Sequence, residues 1–238
     1  MKACAIVPVY DNAGTVGDVV ERCRAALDGH VIAVCDGSRD GSDTEARLAG
    51  ADVVSHGANL GKGRAILSGL ERAADGGFTH AVALDADGQH PPEEIPRLLD
   101  AARGAPDRIW VGVRRASGQM PSSSRFGRSM SNFWASVAAW QRLRDVQCGF
   151  RVYPVREVLA LGCREGGFTF EMEVLVRAAW SGVSVGHADV DVLYPAPGGV
   201  SHFRKGREAL RFSWLSFRLF WAMLARSPGL IARSAADA

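Results

Sequence analysis

The chain has 238 residues, of which 47% are hydrophobic and 23% charged, a composition typical of a soluble globular protein with one large core. The formal net charge of +2 is too small for a protein that coats nucleic acid, so we expect no nucleic-acid partner. The five cysteines are odd in number and form no C-x-x-C pair, which argues against zinc or dithiol chemistry and indicates a reduced, cytoplasmic compartment.

Short apolar runs alternate with helical patterns through the first half of the chain, which predicts an α/β fold with a mostly parallel sheet. The predicted strands cover residues 3–9, 31–35, 51–55, 80–84 and 109–113. The predicted helices cover residues 15–27, 42–49, 63–74 and 92–103. The first apolar run stops at Pro8, so it is too short for a signal-peptide core and is interpreted as a buried strand.

The second half opens with a polar stretch at residues 114–125, which contains glycine, proline and three serines. This composition predicts a mobile loop over a site. Helices are predicted at residues 127–143 and 170–180, and a strand at 183–193. We therefore expect one domain over residues 1–203, a helix over 204–226 and a tail over 227–238.

Two carboxylates and an amide follow the fourth predicted strand at alternate positions, Asp85, Asp87 and Gln89. In an extended segment these side chains point to the same side, and their oxygens suit Mg²⁺ or Mn²⁺. The alternative is a helix-capping turn with surplus acids, and the spacing alone does not separate the two interpretations.

Polar residues also follow the first two strands, at the sheet edge where open α/β sheets bind ligands. Asp36 ends the second strand, and Tyr10 with Asp11 follows the first. Tyr10 could stack on a base or simply pack on the protein. Asp40 and Ser42 are expected to cap the next helix.

Two common nucleotide motifs are absent. The first strand is followed by no G-x-G-x-x-G sequence. Residues 57–62 are one residue too short for a phosphate loop, and Gly63 stands where that loop needs Ser or Thr. The dehydrogenase and nucleoside triphosphatase classes therefore lose their main support.

The ordered set of motifs resembles glycosyltransferase family 2, and within it the dolichol-phosphate mannose synthase and polyprenyl-phosphate glycosyltransferase branch. The set comprises Pro8-Val9-Tyr10, the turn at 36–42, Asn59-Leu60-Gly61-Lys62-Gly63, Asp85-Ala86-Asp87-Gly88-Gln89-His90-Pro91 and Cys148-Gly149-Phe150-Arg151. The resemblance implies a single domain of the GT-A type, with a Rossmann-like, mostly parallel central sheet flanked by helices. It also implies a UDP- or GDP-sugar donor, a Mg²⁺ or Mn²⁺ cofactor, a lipid-linked acceptor and inversion at the anomeric carbon.

The resemblance also assigns roles to individual residues. The nucleotide would be bound by Pro8, Tyr10, Asp11, Asp36, Lys62 and Asp85. The metal would be held by Asp85, Asp87 and Gln89. The catalytic residues would be Asp87, Glu173 and Arg128. The acceptor would be bound by Arg114, Arg125, Arg128, Ser201, His202 and Arg204. Asp36 would accept a hydrogen bond from the base, although Cys35 stands where the family usually has a second acid.

The chemistry of the acceptor decides what else the site needs. A phosphate acceptor is already anionic, so arginines rather than a general base are required. The second half supplies cations at Arg114, Arg115, Arg125, Arg128, Arg151, Arg204 and Lys205. An alcohol acceptor would need a base, and Glu173 in its apolar helix is the candidate. Alternatively, Glu173 pairs with an arginine and has a structural role. A separate alternative for the whole protein is that it binds a nucleotide sugar without turnover.

The C-terminal segment is amphipathic. Its apolar side includes Trp214, Phe217 and Trp221, and its cationic side includes Arg204, Arg207, Arg211 and Arg218. A membrane-surface anchor, a helix packed on the body of the protein and a dimer face all fit this pattern. Tryptophan beside arginine favours the anchor. We therefore expect a cytoplasmic protein peripheral to the inner face of the membrane.

Overall fold

The computed structural model describes residues 1–115, 122–167 and 169–193, together with Leu215, Arg218 and Trp221, and excludes the side chains of residues 122–127. In this part of the chain seven strands form one sheet. They are β1 (Ala3–Val9), β2 (Val31–Asp36), β3 (Asp52–His56), β4 (His80–Ala83), β5 (Ile109–Arg114), β6 (Arg151–Pro154) and β7 (Val185–Val190). Their order is β3-β2-β1-β4-β6-β5-β7, and β6 runs antiparallel to both of its neighbours.

Seven α-helices flank the sheet within the described residues. They are α1 (Ala13–Ala26), α2 (Ser42–Leu48), α3 (Lys62–Asp75), α4 (Ile95–Gly104), α5 (Ser122–Ala139), α6 (Val155–Ala160) and α7 (Phe170–Trp180). A 3₁₀ turn at Pro92–Glu94 precedes α4. The helices cover apolar strands, and β2 and β4 are buried along their whole length.

The register of the central strands brings their carboxyl ends to one edge. Pro8 of β1 lies opposite Val34 of β2, and Ile6 of β1 lies opposite Ala83 of β4. All three strands run parallel, so the segments that follow them emerge side by side. On one face α3 approaches β1 closely, since a Cβ at Gly69 would lie 2.5 Å from Ile6 Cγ2.

The predicted fold class is confirmed: one α/β domain with a mostly parallel sheet. The predicted pattern omitted β6 and α6, because a four-residue strand that contains arginine and proline carries no alternation of apolar and polar residues. The polar loop was predicted too long, because α5 begins at Ser122 and the helical serines at its start look like loop residues.

Three residues of the C-terminal segment are described, and all three are helical. Leu215 is buried in the core, and Arg218 Nη1 lies 3.1 Å from Glu165 Oε1. Trp221 is exposed. Leu215 and Arg218 therefore contact the body of the protein. Among the described helices, none combines the length and the apolar character that crossing a bilayer requires.

Candidate active site

A buried lysine connects the acidic motif to the opposite wall of the site. Lys62, the first residue of α3, places its Nζ 2.5 Å from Asp85 Oδ1 and 2.7 Å from Glu171 Oε1. Burial alone would lower the pKa of Lys62, but the charges of Asp85 and Glu171 outweigh it and raise the pKa above its ordinary value. The ammonium is therefore a fixed positive charge beside the first aspartate of the motif.

Asp85 is held in its ionised form. Burial would raise the pKa of its carboxyl group, but the charge of Lys62 keeps the pKa below the usual range. The backbone carbonyl of the next residue, Ala86, accepts a hydrogen bond of 2.7 Å from Thr15 Oγ1, which ties the motif to α1. The carboxylate of Asp85 is thus fixed in charge, and its segment is fixed in place.

Asp87 has the opposite electrostatics. Its pKa is raised, first by burial and then by the negative charge of Asp85. Its carboxylate accepts hydrogen bonds from Gln89, 3.0 Å from the backbone N and 2.9 Å from Nε2. The negative charges of Asp85 and Asp87 repel each other, and a bound divalent cation would offset this repulsion.

The donor chemistry fits Mg²⁺ or Mn²⁺. Within the described residues no three His, Cys, Asp or Glu side chains cluster as metal ligands, so protein carboxylates alone do not complete a site. Asp85 and Asp87 supply two hard oxygens and Gln89 carries an amide oxygen nearby, which suits a metal that also takes phosphate and water oxygens. These three residues would hold the ion.

His90 closes the inner side of the motif. Burial lowers the pKa of its imidazole to about 4, so the ring is neutral at physiological pH. Nδ1 lies 3.9 Å from Asp85 Oδ2, and no hydrogen bond to this nitrogen is found within the described part of the chain. Nε2 lies 3.6 Å from Cys148 Sγ, and the ring packs against Phe150.

Hydrogen bonds fix the backbone after β1 and β2, at the side of the sheet where the nucleotide is predicted to bind. The backbone N of Asp11 donates to Ser38 Oγ at 3.1 Å, and Asp11 Oδ1 accepts from the Arg39 backbone N at 3.0 Å. Asp11 adopts a positive φ of 51°, which few non-glycine residues do. Tyr10 stands beside this turn with its side chain exposed, so its ring is accessible to a base.

In the turn before α2 the N-cap residue is Gly41, with no side-chain cap hydrogen bond, so the expected capping by Asp40 and Ser42 is not observed. Asp40 accepts from the Ala13 backbone N at 2.8 Å and from Ser42, while Ser42 Oγ accepts from the Asn12 backbone N at 2.8 Å. These contacts join the starts of α1 and α2, and they leave Asp40 and Ser42 with structural roles.

Asp36 is an anchor for the neighbouring loop. Its carboxylate accepts from the backbone N of Leu60 at 2.9 Å and of Gly61 at 2.7 Å, and it lies 2.7 Å from His56 Nδ1. Gly61 has a φ of 96° and packs on Gly166, which a side chain would prevent. Asp36 therefore orients the loop that presents Lys62. Its contact with a base stays a prediction.

A second charged cluster follows β5. The buried carboxylate of Asp145 accepts two hydrogen bonds from the Arg114 guanidinium, at 2.6 and 2.9 Å, and lies 3.6 Å from Arg128 Nη1. Burial would raise the pKa of Asp145, but the hydrogen bond and charge of Arg114 hold it low. Both arginines line a cavity of about 410 Å³, together with Asn132 and Phe133.

Arg151 of the second half has a structural role. Arg151 is fully buried and donates to the carbonyls of Cys148, Val146 and Glu171 at 2.7 to 2.8 Å, so its interpretation as an acceptor-side cation is wrong. These three hydrogen bonds to carbonyls hold the Val146–Cys148 loop against α7.

Glu173 is held by its own neighbourhood. Its Oε2 accepts from the backbone N of Arg164 and Glu165 at 2.9 and 2.8 Å, and its Oε1 accepts from Arg177 Nε at 2.7 Å. None of these partners contacts Asp85 or Asp87 among the described residues. These contacts support the pairing role that the sequence left open.

Some predicted site residues cannot be placed. Ser201, His202, Arg204 and the side chain of Arg125 lie outside the described residues. Conversely, the sequence assigned no role to Glu171, Asp145 or Gly149, although Gly149 stands in the Cys148-Gly149-Phe150-Arg151 motif and Glu171 in the same segment as Glu173. A family motif pointed to Glu173, whereas only the fold pairs Glu171 with Lys62.

Comparison with known proteins places these features in a family context. A sequence model described as Glycosyl transferase family 2 matches residues 4–160. An undecaprenyl-phosphate mannosyltransferase from Micrococcus luteus is 27% identical over 192 residues, which cover 75% of this chain and 78% of the relative. A polyprenol monophosphomannose synthase from Mycolicibacterium smegmatis is 30% identical over 202 residues, which cover 77% of this chain and 74% of the relative.

Among solved structures, glucosyl-3-phosphoglycerate synthase from Mycobacterium tuberculosis, in complex with Mn²⁺, UDP-glucose and phosphoglyceric acid, matches with a TM-score of 0.70. The match covers 93% of this chain and 79% of that structure at 14% sequence identity, so it supports the shared fold alone. The chain spans 49% to 78% of the length of the curated relatives that it matches, which include the two named above.

Proposed function

The chain belongs to glycosyltransferase family 2 and is therefore a glycosyltransferase, and we propose that it is a metal-dependent, inverting enzyme that moves a sugar from a UDP- or GDP-sugar to a polyprenyl phosphate at a membrane surface. The observation that carries the choice of acceptor is the arginine pair around Asp145. Arg114 and Arg128 line one cavity, and a guanidinium is suited to bidentate phosphate binding. The names of the two mannosyl-transferring relatives support the same class of acceptor.

The reaction needs charge stabilisation more than proton transfer. The bond between the anomeric carbon and the donor diphosphate breaks, and an oxygen of the acceptor phosphate forms a new bond to that carbon from the opposite face. The phosphate oxygen is already ionised, so no proton has to be removed. A metal held by Asp85, Asp87 and Gln89 would neutralise the diphosphate as it leaves.

Other residues of this chain have separate roles in the proposed reaction. Lys62 keeps Asp85 ionised and adds a fixed positive charge near the diphosphate. Asp36 holds the loop that carries Lys62, and Tyr10 with Asp11 lies beside the same sheet edge for the nucleotide. Asp145 orients Arg114, so that the guanidinium is in position before the acceptor arrives.

A hydroxyl acceptor with Glu173 as base is the weaker candidate. The carboxylate of Glu173 already accepts two backbone hydrogen bonds and one from Arg177. A base must reach the proton that it removes. The contacts of Glu173 therefore support the phosphate acceptor over the alcohol.

The test is a product assay with radiolabelled UDP- and GDP-sugars and a short-chain polyprenyl phosphate. We expect free nucleoside diphosphate and a labelled lipid in equal amounts, in the presence of Mn²⁺ or Mg²⁺. Arg128→Met should lose transfer while still binding donor, whereas the exposed Arg47→Met should behave as the wild type. Release of pyrophosphate would identify a nucleotidyltransferase, and donor binding without product would identify a binding protein.

A further inference from the structure

Lys62 is shared by two carboxylates that differ in their exposure. Its Nζ lies 2.5 Å from Asp85 Oδ1 and 2.7 Å from Glu171 Oε1. The side chain of Asp85 is 27% exposed, whereas that of Glu171 is 4% exposed. An ammonium group has three donors, so it can leave one carboxylate and stay paired with the other. Leaving Asp85 would keep a neutral buried pair, whereas leaving Glu171 would strand a buried charge.

Both carboxylate oxygens of Asp85 have protein groups beside them. Oδ1 contacts the ammonium of Lys62. Oδ2 lies 3.9 Å from His90 Nδ1, and a Cβ at Gly149 would approach it to 3.1 Å. A divalent cation on Oδ1 would meet the Lys62 charge at short range, and the two positive charges would repel each other. The ammonium and the cation therefore compete for Asp85.

The backbone of Lys62 is held on both sides, so the movement available to this residue is that of its side chain. A Cβ at Gly61 would clash with the Gly166 carbonyl oxygen, and a Cβ at Gly63 would clash with Phe170. These close approaches hold the start of α3 against the segment that leads into α7. The four-carbon stem of lysine is flexible. Rotations within this stem can move the Nζ while the loop stays in place.

The alternative is a permanent ion pair, in which Lys62 stays on Asp85 and the metal is bound without that carboxylate. Asp87 and Gln89 would then be the protein ligands of the metal, and Gln89 Nε2 lies 2.9 Å from Asp87 Oδ2 in the metal-free arrangement. One carboxylate can be enough for Mg²⁺ when substrate phosphates complete the site. The two arrangements differ in a measurable respect, which is the effect of the lysine on cation affinity.

We propose that Lys62 is the internal counterion of Asp85 in the donor-free enzyme, that a divalent cation displaces it, and that Glu171 is the positioning residue that retains the ammonium. The inference rests on the proposed function for the use of a divalent cation. The cation alone would bind weakly, because it must displace a paired ammonium. A donor diphosphate would strengthen its binding, because the negative charge of the diphosphate offsets both positive charges.

The test is Mn²⁺ binding by the full chain without nucleotide, followed by the electron paramagnetic resonance signal of free Mn²⁺. Lys62→Met combined with Glu171→Gln removes one positive and one negative charge, so the net charge stays that of the wild type. This double variant should bind Mn²⁺ about tenfold more tightly than the wild type, because Asp85 is released. Adding Asp85→Asn should abolish the gain. Glu171→Gln alone should weaken Mn²⁺ binding, because the ammonium then keeps Asp85 as its partner.

Arg64→Met is the matched control, because it removes a positive charge from the same helix at a side chain that is 48% exposed. Its Mn²⁺ affinity should equal that of the wild type. Equal affinities of the double variant and the wild type would overturn the inference and support the permanent ion pair. If the double variant does not fold, Glu171→Gln decides, and unchanged Mn²⁺ affinity in that variant overturns the inference. A wild type that binds no Mn²⁺, even with UDP or GDP, would overturn the metal assignment of the proposed function as well.

Discussion

Gly149 packs directly against Lys62, so closely that a Cβ at position 149 would lie 2.7 Å from the lysine Nζ. The same Cβ would lie 3.0 Å from Glu171 Oε1 and 3.1 Å from Asp85 Oδ2. The glycine therefore leaves the space that allows the ammonium to contact both carboxylates. Its backbone therefore also lines the site beside Asp85.

The first prediction follows from this packing. Gly149→Ala should reduce transfer roughly tenfold or more, because a shift of about 1 Å in a positioned charge has effects of that size. The change should appear in steady-state kinetics with the donor varied. Gly17→Ala is the control, since a Cβ there would meet no atom within 4 Å, and its activity should be unchanged. Wild-type kinetics in Gly149→Ala would show that the Lys62 geometry does not matter.

The second prediction concerns Asp87. The pKa of Asp87 is raised in the folded protein, so folding favours the protonated carboxyl group. At neutral pH the group is ionised, and its charge lowers the free energy of unfolding. Asp87→Asn should therefore be at least as stable as the wild type in a chelator, while losing transfer. Mn²⁺ should raise the unfolding temperature of the wild type and of Asp75→Asn, which changes an exposed acid, but not that of Asp87→Asn. An equal Mn²⁺ response in all three proteins would contradict the metal assignment.

The third prediction separates the two roles of Glu173. Glu173→Gln should lower the free energy of unfolding by about 2 kcal/mol, because a charged acceptor of three hydrogen bonds is lost. Activity per folded molecule should be retained. Arg177→Met should destabilise in the same direction, as measured by urea unfolding. A large fall in kcat with unchanged stability would instead identify Glu173 as a base.

The fourth prediction is a dependence of stability on pH. The pKa of His90 falls from its ordinary 6.5 to about 4 in the folded protein, so the unfolded chain binds more protons between these values. Stability should fall as the pH drops through this window, by about 3 kcal/mol in total. His90→Asn should remove that part of the slope in unfolding experiments between pH 7 and pH 4.5. Parallel curves for the two proteins would mean that the imidazole is not buried as described.

The fifth prediction concerns the C-terminal segment. Arg218 forms an ion pair with Glu165, so it is left unchanged in the test. Arg207→Gln combined with Arg211→Gln should reduce association with anionic vesicles by about 1 kcal/mol per charge at low salt, and less at high salt. Transfer to a water-soluble acceptor should survive. If the variant and the wild type sediment equally at every salt concentration, the segment packs on protein and does not anchor the enzyme.

The sequence by itself determined six of the seven described strands, the acidic motif and the loop that carries Lys62. These features are local: apolar runs that end in Asp36 or Asp85 need only the period of a strand and the polarity of the next residue. Local patterns also marked the edge of the sheet where the site lies, because parallel strands all present their carboxyl ends there.

Only the tertiary structure decided which charges work together. Lys62 contacts Glu171, which lies 109 positions away in the sequence. Asp145 pairs with Arg114 of β5 and Arg128 of α5. The same folding buried Arg151 and enclosed Glu173, which the sequence presented as site residues. A charged side chain looks the same in a sequence whether it faces solvent, a substrate or a buried carbonyl. Its role follows from the partners that burial forces it to find, and those partners are fixed by long-range packing.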